Sequence, residues 1–527
     1  MDSATPTPPA SDDVPARNVI LMIADGASPT TWDAASYYRH GGLGHEAYDD
    51  FAVHHHMSTF PLTTSTTPAN TAEGEVSYDP AQAWSIEMGD GSYEGNVSEY
   101  PNYFAGYDYL RQGVTDSAAA GTALATGEKT YNAAINRNNF GNPLTNIGEL
   151  AVGSGRELGI VSSVQWSHAT PAAFGAHNEN RNNYAEIAQE MVESGNASVI
   201  MGGGHPFYDA NGEARTPEGE DDFRYVGGEK TFLDLIGGRT NYRFIESRED
   251  FEALADGTLE IPDGEKVLGT FQTGSTLQFE RDGVAMGDLN ENVPSLATMA
   301  EGALNVLQDD EDGFFLMVEG GAVDWAAHAN NLPRIVEEQI GFNEAVESVV
   351  QWVGTESSWD ETRVVILTDH GNSMLLGPNS DDEAFEPIIN QGQDSLPLGR
   401  WHSDNHTNEL VPVWANGAGS ELFTAAATST DPGLANHGAE GDEQRYLDNT
   451  QIFDVVAEAM GLQKASGQPK DELMTQPEVD WDALAAQVIA NYEATGNWFV
   501  QDLSRCGPKQ LGRICSPRRK SWPQVMS

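Results

Sequence analysis

The feature that most limits the fold of this sequence is a series of short apolar runs, each followed by a polar turn. Each run suits a buried strand and is far below the ~20 residues of a membrane span. The expected strands are Asn18–Ala24, Gly159–Val164, Ser198–Met201, Phe314–Val318 and Val364–Thr368. The expected helices between them are Ser117–Thr126, Tyr184–Ser194, Leu296–Leu307 and Ile335–Val353. This alternation predicts an α/β fold, with helices on both faces of a mostly parallel sheet.

Composition and charge narrow the possible functions. The 527 residues include 81 Asp and Glu against 27 Lys and Arg, a formal net charge of −54, with 39 % hydrophobic residues. That apolar content supports a large core. A surface of this charge repels phosphate groups, so we expect neither nucleic acid nor a membrane as a partner. Because the acidic residues are spread along the chain, we expect a salt-adapted protein that needs counterions.

The domain organisation is expected to be simple. Residues 16–504 are expected to form one domain, with surface insertions near 61–102 and 205–288, where the strand–helix rhythm is lost. Residues 1–15 are rich in Pro, Ser, Thr and Asp, and we expect a flexible segment there. Residues 505–527 contain six Lys and Arg and no Asp or Glu. This basic tail either docks on the acidic body or on a partner, or is foreign to the natural protein, and we favour the second interpretation.

Residues that can bind metals follow several of the expected strands. They are Asp25, His168, Thr170, Glu319, Asp369 and His370. The carboxyl ends of parallel strands meet at one edge of a sheet, and helix capping does not account for so many ligands there. Asp324 and His328 add a pair spaced i, i+4, which shares one helix face and can chelate an ion. The sequence therefore predicts a metal centre at this edge.

The segment Val114–Thr122 contains a candidate nucleophile. It reads Val-Thr-Asp-Ser-Ala-Ala-Ala-Gly-Thr, so that Ser117 opens a run of small residues that favours a helix and lets a substrate approach closely. At a helix N-terminus, backbone N–H groups and the helix dipole favour an anion. The simpler alternative is that Ser117 only caps the helix.

Taken in order along the chain, these motifs resemble those of the alkaline phosphatases, which are metal-dependent phosphomonoesterases. The matching motifs are Asp25-Gly26, the signature around Ser117, Gly127-x-Lys-Thr-Tyr-Asn132, His168-Ala-Thr170, Arg181, Glu319-Gly-Gly-x-x-Asp324-x-x-x-His328, Thr368-Asp-His-Gly371 and His406-Thr407. The serine signature is specific by itself. Within the family, the chain resembles most the marine and salt-tolerant bacterial members. The resemblance implies the three-layer α/β/α fold of this family.

The resemblance also implies two zinc ions and one magnesium ion per subunit. One zinc ion would be held by Asp324, His328 and His406, and the other by Asp25, Asp369 and His370. The magnesium ion would bind Asp25, Thr170 and Glu319, with His168 contributing directly or through a water molecule. All of these residue types are ordinary ligands of such ions.

For the reaction, the resemblance implies that Ser117 is the nucleophile and carries a phosphoserine intermediate. Arg181 would clamp two phosphate oxygens, because its planar fork matches their geometry, and Trp325 would lie beside the substrate. The implied activity is hydrolysis of small phosphate monoesters at alkaline pH. A homodimer, and a periplasmic or secreted location for the mature protein, are further family-based expectations.

Three departures from the family pattern affect these expectations. His168 stands where the best-known enterobacterial member has Asp, and Trp325 stands where that member has Lys, which should weaken binding of product phosphate. Only 35 residues separate His370 from His406, so the large insertion of some marine relatives is missing or much reduced. His402 is a competing ligand, but only His406 is followed by Thr and then by Val411-Pro412-Val413, as in the family.

Two other functions stay open. A phosphodiesterase or sulfatase of the same superfamily would use a similar centre, although Arg181 and the third metal site suit a monoester dianion. A metal-binding or salt-coat protein with an inactive site is the other alternative, but it predicts the loss of Ser117 or Arg181, and both are present. The sequence lacks the motifs of P-loop NTPases, zinc peptidases of the H-E-x-x-H type and G-x-S-x-G esterases.

Overall fold

The computed structural model describes residues 15–71, 74, 77–89, 99–101, 103–262, 264–287 and 289–462. Nearly all of the expected N-terminal segment and the whole basic tail therefore lie outside the described residues. The strands are β1 (Asn18–Ala24), β2 (Val53–Ser58), β3 (Glu157–Gln165), β4 (Val199–Gly203), β5 (Tyr242–Ile245), β6 (Lys266–Thr270), β7 (Phe314–Gly320), β8 (Thr362–Leu367), β9 (Gly371–Asn372), β10 (Leu375–Leu376), β11 (Arg400–Trp401), β12 (His406–Thr407), β13 (Val411–Gly417), β14 (Ser429–Thr430) and β15 (Arg445–Asp448).

Helices connect these strands. The α-helices are α1 (Pro29–His40), α2 (Pro80–Ala83), α3 (Ala105–Leu110), α4 (Ser117–Thr126), α5 (Ile147–Gly153), α6 (Ala169–Ala173), α7 (Tyr184–Ser194), α8 (Gly228–Ile236), α9 (Arg248–Ala255), α10 (Leu296–Leu307), α11 (Ala322–His328), α12 (Leu332–Glu356), α13 (Glu421–Ala426) and α14 (Thr450–Ala459). Three short 3₁₀ helices cover Glu220–Val226, Pro432–His437 and Gly441–Gln444. Among the described helices, none combines the length and apolar character needed to cross a membrane.

An eleven-stranded sheet organises the described part of the chain, in the order β14-β15-β2-β13-β8-β1-β7-β3-β4-β6-β5. Its centre is parallel, since β1 pairs in parallel with β7 and β8, and β3 pairs in parallel with β7 and β4. β13 runs antiparallel to both of its neighbours, β2 and β8. The parallel centre brings the carboxyl ends of β1, β3, β7 and β8 to one edge, where ligands bind in such sheets.

The core lies on both faces of this sheet. Along β1, Val19, Leu21 and Ile23 pack into one buried apolar cluster together with residues of α4–α7 and α14. The alternate residues Ile20 and Met22 pack into a second cluster with residues of α1 and α10–α12. Successive side chains of a strand point to opposite faces of the sheet, so β1, which is buried along its whole length, supplies apolar residues to both clusters. The expected three-layer α/β/α fold is confirmed.

The expected helices and strands agree closely with this structure. β1, α4, α7 and α10 begin and end at the predicted residues, and α12 extends the predicted helix at both ends. The sequence reading missed β2, whose core is His54-His55-His56, because histidines do not form an apolar run. Residues 205–288, expected as a surface insertion, also hold β5 and β6, which extend the sheet at one edge. Neither strand is a continuous apolar run, because β5 contains Arg243 and β6 begins with Lys266.

Candidate active site

Ser117 lies in the first turn of α4 and is buried, with 1 % of its surface exposed. The helix begins there because the Asp116 side chain caps it, accepting a hydrogen bond from the Ala119 N–H at 3.0 Å. It ends at Gly127, which has a left-handed conformation. The Ser117 Oγ lies 3.2 Å from His370 Nε2. The predicted serine therefore lies at a helix N-terminus, beside one of the predicted metal ligands.

The side chain of Arg181 is held next to this serine by Asp116. Arg181 Nη1 donates to Asp116 Oδ2 at 3.1 Å, and both side chains are largely buried. The backbone N–H of Arg181 donates to the Ala133 carbonyl, and the N–H of Ala133 donates to Asp116. Asp116 therefore joins the helix start, the loop at Ala133 and the guanidinium. An arginine oriented in this way is suited to clamp a phosphate group.

Asp324, His328 and His406 form one group of potential metal ligands, because each offers an atom within 4.8 Å of the others. The Nε2 atoms of His328 and His406 are 3.1 Å apart. Their Nδ1 atoms lie at 2.8 Å from the Asp404 carbonyl and at 2.7 Å from the Thr115 carbonyl. A carbonyl at Nδ1 favours a proton there and leaves Nε2 free to bind a metal.

The histidine that completes this group is His406 and not His402. His402 is buried elsewhere, with its Nε2 2.7 Å from Ser380 Oγ. β12, which begins at His406, pairs with β9, which follows His370. That pairing places the His370 and His406 rings 3.7 Å apart, centroid to centroid.

A second group consists of Asp25, Asp324 and His370, and its ligand atoms also lie within 4.8 Å of one another. Asp369 adjoins it, with Oδ2 3.2 Å from His370 Nε2. The structure thus brings together all three residues expected for the second zinc ion, and Asp324 lies between the two groups. Asp25 directly follows β1, and Asp369 and His370 follow β8, which is the neighbouring parallel strand.

Gly26 permits the close approach of β1 and α11 in this region. Its φ is +67°, and a Cβ atom there would lie 2.6 Å from Asp324 Oδ1 and 2.9 Å from the Asp324 backbone. Only glycine can adopt this positive φ and leave room for Asp324 without strain. The Asp25-Gly26 motif therefore serves two purposes: it supplies a candidate ligand, and it leaves space for the neighbouring candidate ligand Asp324.

The residues expected for the third metal lie directly behind Asp25. Thr170 Oγ1 is 3.4 Å from Asp25 Oδ2, and Glu319 is buried and accepts a hydrogen bond from Ser162. His168 directly precedes α6, makes no side-chain capping hydrogen bond and is also buried. Burial, with the nearby charge of Arg181, lowers the pKa of His168 to about 3, so its imidazole is neutral. Trp325 extends beside it, with ring centroids 5.7 Å apart.

The electrostatics of these groups call for bound cations. Burial and the charges of Asp369, Asp324 and Glu319 raise the pKa of Asp25. Burial likewise raises the pKa of Glu319 to about 7 and that of Asp369 to about 6. Burial also acts to raise the pKa of Asp324, but His328 and His406 outweigh it and the net shift is downward. So many buried carboxylates repel one another unless positive charge lies between them.

Buried atoms without partners point to the same requirement. Asp25 Oδ1, Glu319 Oε1, Asp369 Oδ2 and His168 Nδ1 make no hydrogen bond within the described part of the chain. Buried polar groups are almost always paired, and a metal ion satisfies such oxygen and nitrogen atoms. The donor set therefore fits divalent metals of the zinc and magnesium types.

Sequence reasoning missed several residues that orient these side chains. Asn372 Nδ2 donates to Asp324 Oδ1 at 2.6 Å, and Ser373 Oγ in turn donates to Asn372 Oδ1 at 2.8 Å. Asp116 was seen only as part of a motif, although it holds Arg181. The position of Asn372 two residues after His370 was the available signal, but its partner is 48 residues away and cannot be read from spacing.

Comparison with known proteins identifies the family. A protein-family model described as alkaline phosphatase matches residues 96–430. Alkaline phosphatase 4 of Bacillus subtilis is 28 % identical over 381 residues, covering 60 % of this chain and 75 % of that protein. The alkaline phosphatase of Escherichia fergusonii is 26 % identical over 482 residues, covering 86 % and 87 %. The solved alkaline phosphatase of the Antarctic bacterium TAB5 has the same fold, with a TM-score of 0.56 at 20 % identity, covering 86 % of this chain and 100 % of that one. Since the matched region exceeds half of the chain, this protein belongs to the alkaline phosphatase family and is a phosphomonoester hydrolase.

Proposed function

We propose that this enzyme hydrolyses phosphate monoesters through a covalent phosphoserine at Ser117. The observation that carries the proposal is the position of the Ser117 Oγ, 3.2 Å from His370 Nε2 and at the N-terminus of α4. Backbone N–H groups and the helix dipole favour a phosphate group at that point. A plain helix cap does not account for this position, because Asp116 already caps α4.

The metals of the proposed centre are two zinc ions and one magnesium ion. Asp324, His328 and His406 would hold one zinc ion, and Asp25, Asp369 and His370 the other. Asp25, Thr170 and Glu319 would hold the magnesium ion. When bound, these ions supply the positive charge that offsets the buried carboxylates and stabilises the charge of the phosphoryl transition state. The unpaired oxygen atoms of Asp25, Glu319 and Asp369 support this assignment.

The residues of the chain would act in two steps. The Ser117 Oγ loses its proton and forms a bond to phosphorus as the bond to the leaving alcohol oxygen breaks, and the alcohol leaves with a proton. Water then attacks phosphorus from the side opposite Ser117, and the Oγ–P bond breaks. One proton of the water passes to the Ser117 Oγ, and inorganic phosphate leaves. Arg181, oriented by Asp116, would bind two of the phosphate oxygens throughout. Trp325 would lie beside the substrate and adds no positive charge, so product phosphate would bind less tightly than with a lysine there.

Hydrolysis assays on the wild type and Ser117→Ala test this proposal. At pH ~9, in high salt with zinc and magnesium, we expect strong monoester hydrolysis by the wild type and a loss of at least ~10³-fold in the variant. Full activity in Ser117→Ala would disprove the phosphoserine route. A phosphate diester and a sulfate ester assayed in parallel address the alternatives within the superfamily, and preference for either would replace the monoester proposal.

Four further properties belong to the same proposal: an alkaline optimum, a homodimer, a periplasmic or secreted location and adaptation to salt. The first three follow from the family resemblance. Salt adaptation follows from the net charge of −54, which destabilises the folded state unless counterions screen it. We expect the melting temperature to rise between near-zero and molar NaCl, and an unchanged value would refute the salt dependence.

A further inference from the structure

We infer that a row of aromatic side chains beside Arg181 gives this enzyme a preference for phosphate monoesters with a planar aromatic leaving group. The row consists of Tyr225, Tyr184, His168, Trp325 and Phe279. The inference rests on the proposed function, because it concerns the leaving-group side of the same site.

The rings of the row follow one another without a gap. The Tyr225 and Tyr184 centroids are 4.7 Å apart, and the Tyr184 and His168 rings are parallel within 12° at 6.0 Å. His168 meets the edge of Trp325 at 5.7 Å, and Trp325 meets Phe279 at 6.4 Å. The guanidinium of Arg224 covers Tyr225, 4.3 Å from its centroid. Such offset and edge-to-face contacts are the favoured arrangements of aromatic rings.

Separate segments of the chain supply these rings. Tyr184 begins α7, Tyr225 lies in the 3₁₀ helix Glu220–Val226, and Trp325 lies in α11. Four of the five side chains, all except the buried His168, are only partly buried. Each of these four residues therefore keeps part of its surface exposed, as a binding surface requires and a sealed core does not.

The middle of the row, from Tyr184 to Trp325, adjoins the proposed phosphate site. Trp325 directly follows Asp324, a ligand common to both groups of metal-binding residues. Tyr184 starts α7 three residues after Arg181, and both Tyr184 and His168 lie within electrostatic range of the Arg181 guanidinium. A leaving group that extends from a phosphate on Arg181 toward α7 and α11 would meet these rings.

A planar aromatic leaving group gains binding free energy by packing against these rings, and an alkyl group does not. A well-placed aromatic pair changes an equilibrium by about 2- to 12-fold beyond the burial of area. An aromatic ring also loses few rotatable bonds on binding. We therefore expect aryl esters to bind several-fold better than alkyl esters of similar charge.

Binding of two phosphonates tests this inference without interference from leaving-group reactivity. Phenylphosphonate and methylphosphonate are not hydrolysed, and each can be measured as a competitive inhibitor of the metal-loaded enzyme. Dividing each inhibition constant by that of inorganic phosphate on the same variant cancels any general change in the phosphate site. We expect the wild type to bind phenylphosphonate several-fold more tightly than methylphosphonate.

Variants of Tyr184 decide whether the row causes this preference. Tyr184→Leu keeps an apolar side chain and removes the ring, so we expect the preference to fall by about 3- to 10-fold, whereas Tyr184→Phe should retain it. Tyr208→Leu, a tyrosine that packs on His205 outside the row, serves as the matched control. If Tyr184→Leu does not fold, Trp325→Leu replaces it, with the same expectation.

The outcomes separate the inference from the function on which it rests. Equal binding of the two phosphonates by the wild type, or an unchanged preference in Tyr184→Leu, would overturn the inference and mean that the rings only support His168. A wild type that hydrolyses no monoester would instead overturn the proposed function. Active wild type with a ring-dependent preference supports both.

Discussion

Substitution of Asp116 separates the folding role of this residue from its role in phosphate binding. Its Oδ1 accepts the N–H of Ala119 at 3.0 Å, and both oxygens accept the N–H of Ala133 at 3.0 Å. Its Oδ2 also receives the Arg181 Nη1 hydrogen bond. Ala133 is buried and has a left-handed φ of 71°, so its N–H has few alternative acceptors.

Asp116→Ala and Asp116→Asn are expected to differ in stability. Alanine removes the cap, at about 1 kcal/mol, and leaves a buried N–H unpaired, at about 1–3 kcal/mol, for a loss of roughly 2–4 kcal/mol. Asparagine retains an oxygen for the cap and for Ala133, so we expect a loss of about 1 kcal/mol or less. Melting temperatures of the metal-loaded proteins measure this difference. Equal stability of the two variants would refute the capping argument.

Both variants should weaken phosphate binding, because neither alanine nor asparagine carries the negative charge with which Asp116 holds Arg181. If the orientation of Arg181 contributes about 1 kcal/mol to the free energy of phosphate binding, its loss raises the inhibition constant of inorganic phosphate roughly fivefold. Weaker product binding also speeds product release, so kcat should fall less than kcat/KM. An inhibition constant within experimental error of the wild type in both variants would show that Asp116 does not orient Arg181.

Three further predictions follow from other parts of the structure. Burial lowers the pKa of His177, but hydrogen bonds with Glu149 and Glu190 outweigh burial and raise it to about 9. Its stabilising effect is therefore complete below pH ~6.5 and is lost as the pH rises through about 9. Over this range the melting temperature of His177→Gln should fall less than that of the wild type. Parallel curves of melting temperature against pH would contradict the prediction. Gly26→Ala should cost at least ~1–2 kcal/mol of stability because of its positive φ alone. It should also reduce the zinc content, because the new Cβ atom would collide with Asp324. Melting temperature and elemental analysis measure the two effects, and full zinc content at wild-type stability would refute the steric argument. Removal of metal with EDTA should lower the melting temperature by several degrees, since the buried carboxylates are left without compensating charge. Adding zinc and magnesium back should restore the melting temperature. An unchanged melting temperature after EDTA would mean that these ions do not stabilise the fold.

Much of the architecture was predictable because it depends on local pattern. The apolar run of β1 and the helical periodicity of α7 and α10 hold over at least one full element, so their bounds were predicted residue for residue. The edge at which Asp25, Glu319 and His370 meet followed from one rule, that carboxyl ends of parallel strands lie together. The prediction failed for β2, where histidines occupy buried strand positions. It also failed for β5 and β6, where Arg243 and Lys266 break the apolar run.

What the sequence by itself determined is the type of fold and the chemistry of the ligands, since both reside in periodicity and in residue type. What only the tertiary structure decided is which of these groups touch. Asp116 holds Arg181 across 65 residues and Asn372 holds Asp324 across 48. Tyr184 contacts Tyr225, and His168 stands between Tyr184 and Trp325, so these rings come from separate segments. Such contacts depend on the path of the chain and on the shape of the packed helices, and no local pattern encodes them. The candidate reacting groups could therefore be predicted from the sequence, whereas the contacts that orient them depend on packing.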